Sequence, residues 1–130
     1  MARAYTIATA ALALGVPAKW LDNTLSHFRI AGVRQERQGV ARRLNIEALL
    51  TLAASTLLTR ELGIPLGRAL EVAENLLAQH GRILIGDRLQ ISTDLAAMRA
   101  DLLQRLEHAV EVAPLPRRGR PPKNTTGRLE

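Results

Sequence analysis

Twice in this chain a glycine halts a helical pattern and a proline restarts one two residues later, at Gly15 with Pro17 and at Gly63 with Pro65. Glycine takes up the left-handed conformation that ends helices, and proline suits the first helical position, where its missing N–H is not needed. The chain must therefore be built from short and medium helices joined by sharp turns. Leu and Ala supply most of the 47% apolar content, a mixture that favours helix over sheet. Thr6 is placed to cap a helix over Ile7 to Leu14, and Pro17 opens a second to about Phe28, with Leu21, Leu25 and Phe28 on its inner face. Asn45 caps a third, Ile46 to Leu62, which is apolar on nearly all sides and reads as the buried central helix. Pro65 starts a fourth to about Gln79, and Ser92 or Thr93 caps a last one, about Asp94 to Val112.

Two stretches break this rhythm. "IAGVRQERQGVARRLN" has no helical stripe and sets Val33 and Val40 to Leu44 on either side of a polar tip, Gln35 to Gly39, the pattern of a small β-hairpin. "RILIGDRLQIS" holds Gly86-Asp87 between two β-prone runs and predicts a second hairpin. A short helix, a tight turn, a second helix and a basic hairpin, in that order, describe a winged helix-turn-helix. The expected fold class is mainly α: a winged helix-turn-helix with one or two small β-hairpins and a long C-terminal helix. Its expected organisation is a DNA-binding unit over 1–79, a hairpin and dimerisation helix over 80–113, and a flexible basic tail over 114–130.

The net charge of +6 is concentrated in two places. Residues 29–43 hold five arginines against one glutamate, and 114–130 hold five basic residues against one glutamate, whereas 44–113 carry nine acids against six arginines. Basic segments beside a mildly acidic body point to a polyanion gripped at defined places. Arg29, Arg34, Arg37, Arg42 and Arg43 lie on or beside the first hairpin and are the candidate phosphate contacts. On the second helix the inward stripe leaves Lys19, Asp22, Asn23, Ser26 and His27 on the open side. Asn23, which can donate and accept at once, is the candidate for an adenine edge, and Asp22 is expected to face water in preference to a cytosine amino group. Trp20 reads as a core or rim residue, because three aromatics in the whole chain are too few for a stacking platform.

The first 77 or so residues resemble the MerR-type winged helix domain. The likeness rests on "YTIATAALALGV" for the first helix and turn, "RQGVARRLNIEAL" for the wing running into the next helix, and "ELGIPLGRALEVAENLL" for the helical pair that follows. The resemblance implies that the second helix enters the major groove through Lys19, Asn23 and His27 and that Arg42 meets phosphate from the wing. Where that family usually carries Arg-Tyr-Tyr-Glu, this chain has Asp22-Asn23-Thr24-Leu25.

A second resemblance lies in the tail. Arg118-Gly119-Arg120-Pro121, with Arg117 and Lys123 beside it, is similar to the AT-hook. A narrow A·T-rich minor groove attracts arginine, glycine lets the backbone sink between the two side chains, and proline keeps the segment extended. Such a tail adds affinity and a base-composition bias, because the minor groove separates A·T from G·C and little else.

Leu95, Met98, Leu102, Leu106 and Ala109 follow a 3–4 spacing along the last helix, for which a homodimer seam is the economical explanation and packing on the chain's own body the alternative. His27, His80 and His108 are far apart and lack metal-ligand spacing; there is no cysteine, and no catalytic grouping or phosphate-cradling loop, so neither an enzyme, a cofactor nor a small-molecule ligand is expected. The most apolar run, Ala48 to Leu58, is eleven residues, short of a membrane span, and the N-terminus continues a helical pattern better than it fits a signal peptide. The sequence therefore predicts a homodimeric, sequence-specific double-stranded DNA-binding regulator of the cytoplasm, associated with the nucleoid. Its rivals are a low-specificity architectural DNA binder and a protein-interaction module with a basic tail.

Overall fold

Three of the five helices begin at a side chain that accepts a backbone N–H, and the other two begin after a proline with no side-chain cap. The computed structural model describes residues 3–35 and 39–112, with side chains to 110. Helix α1 (Ile7–Leu14) starts at Thr6, whose hydroxyl accepts the Thr9 N–H at 3.1 Å. It ends at Gly15, which takes a left-handed φ of 72° while its N–H reaches Leu12 O and the Val16 N–H reaches Ala11 O. This pair of bonds closes the helix and turns the chain at once. Helix α2 (Ala18–His27) follows, one residue inside the expected start, because Pro17 has extended geometry and serves as the cap. Ala10, Ala11 and Ala13 are buried, so small side chains line the inner surface of α1.

After α2 the chain forms β2 (Val33–Arg34) and β3 (Arg43–Leu44), the expected first hairpin with shorter strands; Val40 to Arg42 lie outside the ladder. A strand not foreseen, β1 (Tyr5–Thr6), joins them to make an antiparallel sheet in the order β1-β3-β2. Tyr5 and Val33 both pair with Leu44, and Thr6 and Arg34 both pair with Arg43. Tyr5 and Leu44 are buried and Val33 is packed against the core, while Arg34 and Arg43 are exposed, so one face of the sheet is sealed and the other carries cations.

Helix α3 (Ile46–Leu62) is the expected central helix, capped by Asn45, whose Oδ1 accepts the Ala48 N–H at 2.9 Å. Leu49, Leu50 and Leu52 are fully buried, but Leu57, read from sequence as part of an all-round apolar surface, is 40% exposed. Helix α4 (Leu66–Ala78) packs along α3. The second hairpin, β4 (Arg82–Ile85) and β5 (Leu89–Ser92), pairs Ile83 with Ile91 and packs Ile83 against Leu58, Val72 and Leu76 in a second apolar cluster.

Helix α5 (Leu95–Val112) is capped by Asp94, whose carboxylate accepts the Ala97 N–H at 3.0 Å, and not by Ser92 or Thr93. It packs on α1 within the same chain. Leu102, Leu106 and Ala109 are 4%, 1% and 2% exposed and belong to the cluster built from α1, α2 and α3. Of the stripe expected as a dimer seam, Leu102, Leu106 and Ala109 thus pack within the chain, where the small side chains of α1 leave room for them. Met98 packs at the margin of the same cluster, and Leu95 lies against Gly81. The described fold is mainly helical, five helices with two small antiparallel sheets.

Candidate nucleic-acid interface

The inward residues of α2 are Leu21, Thr24 and Leu25, and Thr24 returns its hydroxyl to the Trp20 carbonyl at 2.9 Å. Trp20 is partly buried and packs at the rim of the core, as expected. With that face anchored, helical periodicity turns Lys19, Asp22, Asn23, Ser26 and His27 outward, and all five are exposed. The His27 ring donates from Nδ1 to the Asn23 carbonyl at 2.8 Å, which makes Nε2 the ring's acceptor in the neutral form.

Between the end of α2 and the first hairpin lies an open cleft of about 620 Å³. His27, Arg29, Gln35 and Arg42 line it, together with the backbone that runs from Ile30 to Val33. The cleft therefore gathers three of the side chains singled out from sequence: His27, Arg29 and Arg42. Lys19 and Asn23 stand on the same exposed helix face but are not part of its lining. Gln35, at the start of the expected tip, donates its amide to the Val40 carbonyl at 2.9 Å and ties the two arms together.

Arg34 and Arg43 occupy directly opposed positions on β2 and β3, both exposed, and neither meets a carboxylate among the described residues. Like charges facing each other across a ladder destabilise it, so this arrangement is one that a bound anion would relieve. Arg3 adds a further cation by the β1 strand, its guanidinium 5.1 Å from the centre of the Tyr5 ring. Arg37 and the tail positions Arg117, Arg118, Gly119, Arg120, Pro121 and Lys123 lie outside the described residues.

Arg42 departs from expectation. Its Nη1 donates to Asp22 Oδ1 at 3.0 Å, with the two side chains 23% and 53% exposed. Asp22 is exposed to water, as expected, and in addition bonds the hairpin side of the cleft to α2 and partly neutralises the arginine assigned to phosphate. Opposite charges twenty positions apart carry no local pattern, so only the folded path of the chain between them reveals the pair.

No family model, curated protein or solved structure matches the chain. The site must be weighed on its own chemistry. Among the described residues no group of three or more His, Asp or Glu side chains is placed to hold a metal, and no helix is long and apolar enough to cross a membrane. A second, apolar cleft of about 280 Å³ lies at the other end of α3, lined by Leu57, Leu62, Ile91 and Met98 among others.

Proposed function

We propose that the protein is a sequence-specific double-stranded DNA-binding protein, a transcriptional regulator of the winged helix-turn-helix kind resembling the MerR type. The observation that carries this reading is the cleft that joins the exposed face of α2 to the first hairpin, where His27, Arg29 and Arg42 converge beside the opposed Arg34 and Arg43. A polyanion is the ligand class that such a concentration of cations suits. A helix with a polar outer face next to it supplies what the major groove requires: donors and acceptors on a rod about 10–12 Å across.

In this reading α2 lies in the major groove, with Asn23 reading an adenine edge and Lys19 and His27 flanking it. Arg29, Arg34, Arg37 and Arg43 contact phosphates from the hairpin, which acts as the wing. The tail reaches an adjacent A·T-rich minor groove through Arg118 and Arg120, in a protein that works in the cytoplasm on the nucleoid. Two copies bind as a homodimer, joined by a surface other than the α5 stripe, which is already consumed inside each chain.

Fluorescence-anisotropy titration against salt tests the proposal, using a duplex selected from a random pool and a scrambled duplex of equal length. Four or five phosphate contacts per copy, about eight to ten in the homodimer, give a slope of log K against log salt of about −8. The selected duplex is expected to bind at least about a thousandfold more tightly than the scrambled one. Equal affinity for both would make the protein an architectural binder, and a flat slope would make it a protein-interaction module.

A further inference from the structure

Resting on the DNA-binding reading, we propose that Asp22 is a specificity-determining residue of the interface, which holds Arg42 back from phosphate until α2 is seated on its own sequence. Two observations carry this. The Arg42–Asp22 bond is one of only two ion pairs among the described residues that join different elements, the other being Arg99 with Glu47; the rest lie within one helix or turn or between chain neighbours. Asp22 is also the single acid on the exposed face that carries Lys19, Asn23, Ser26 and His27.

The physics follows from exposure. Arg42 shares its cleft with Arg29, and the Asp22 carboxylate offsets part of that positive charge. An ion pair as open to water as this one is weak and screened, so a phosphate that offers two oxygens to the guanidinium can displace the carboxylate. The exchange leaves Asp22 facing the negative field of the duplex. On most sequences that repulsion cancels the gain, and Arg42 stays with Asp22. Where a cytosine amino group meets the carboxylate in the major groove, Asp22 acquires a donor and Arg42 is released to phosphate. The acid thus makes one phosphate contact conditional on a base.

The test is a double-mutant cycle on the full chain. Wild type, Asp22→Asn, Arg42→Gln and the double variant are titrated with the selected and the scrambled duplex across a salt series, and thermal melts check that all four are folded. Asp22→Asn is expected to bind the scrambled duplex about two- to fivefold more tightly at 0.1 M salt, with a salt slope for the homodimer steeper by about 1.8, and to show a smaller ratio of selected to scrambled affinity. Arg42→Gln alone is expected to weaken binding of the scrambled duplex, because Asp22 is then unpaired beside it, and in its background Asp22→Asn should recover that loss without steepening the salt slope. A salt slope that steepens as much without Arg42 as with it would mean simple removal of a repulsive charge and would overturn the exchange, as would weaker binding by Asp22→Asn in the wild-type background. Absence of any salt-dependent duplex binding by the wild type would instead remove the DNA reading, and the exchange with it.

Discussion

Replacing Arg34 separates what the hairpin needs in order to fold from what it needs in order to bind. Arg34 and Arg43 are Cα partners across β2 and β3, on the exposed face of the sheet, with no carboxylate bonded to either among the described residues. Side chains in opposed positions start about 5 Å apart at Cβ, and two guanidinium groups that splay to about 7 Å in water repel by about 0.6 kcal/mol. Arg34→Gln should therefore raise stability, by an amount equivalent to about 2 °C in Tm for a domain of this size at low salt. The effect should fade as salt is added, because exposed charges are screened over about 10 Å at 0.1 M. Binding should move the opposite way. Each lost phosphate contact flattens the salt slope by about 0.9, and a homodimer loses two for each substitution, so between 50 and 200 mM salt the single variant should lose about 12-fold less affinity than the wild type, and Arg34→Gln/Arg43→Gln about 150-fold less. Differential scanning calorimetry and anisotropy titration on the same samples read both quantities. A fall in Tm for Arg34→Gln would show that the arginine packs usefully in the free protein, and an unchanged slope would show that the hairpin does not touch phosphate; either result refutes the reasoning.

Three further outcomes follow from the same geometry. Leu106→Ala removes a fully buried side chain between α5 and α1 and should destabilise the fold by about 2–5 kcal/mol in urea titration. It should do so without altering the association state in sedimentation equilibrium; a change from dimer to monomer would restore the intermolecular seam. Asn23→Ala should relax preference at one base pair by about 1–3 kcal/mol while leaving the salt slope alone, and an equal loss on all sequences would withdraw its assignment to an adenine edge. Arg120→Ala should weaken binding chiefly to duplexes with A·T-rich flanks, measured against G·C-flanked duplexes of the same core sequence.

Sequence legibility followed the range of the interactions involved. Caps are local, and Thr6, Gly15, Asn45 and Gly63 all stand where their residue types place them. Asp94 displaces Ser92 and Thr93 as the last cap because Ser92 is held in β5 and Thr93 donates its N–H to the Gly81 carbonyl, which keeps both in the ribbon. The strand β1 escaped notice because two residues, Tyr5 and Thr6, offer no alternation to detect; they become a strand only when Leu44 and Arg43 arrive beside them. The same limit applies to α5, whose apolar stripe declares that something covers it without saying whether that surface belongs to the same chain. Leu57 was misread for the converse reason: α3 is apolar all round, but its far end is covered on fewer sides than its middle.

The interface has the same division between local and distant causes. The outward set on α2 is legible because Leu21 and Leu25 fix the helix's rotation, whereas the position of the hairpin against that helix depends on contacts between separated segments. One such contact is the approach of Gly32 to Asn45. Gly32 has a φ of 95°, its carbonyl accepts the Asn45 N–H at 3.0 Å, and a Cβ at this position would collide with the Asn45 side chain. Asn45 is at the same time the cap of α3, the most deeply buried helix. The first hairpin is therefore seated on the cap of the core's central helix, and Arg34 and Arg43 inherit their placement from that packing, with Arg42 adding its bond to Asp22. A larger residue at Gly32 would have to move either the cap or the hairpin, and with the hairpin would go the cleft shared by His27, Arg29 and Arg42.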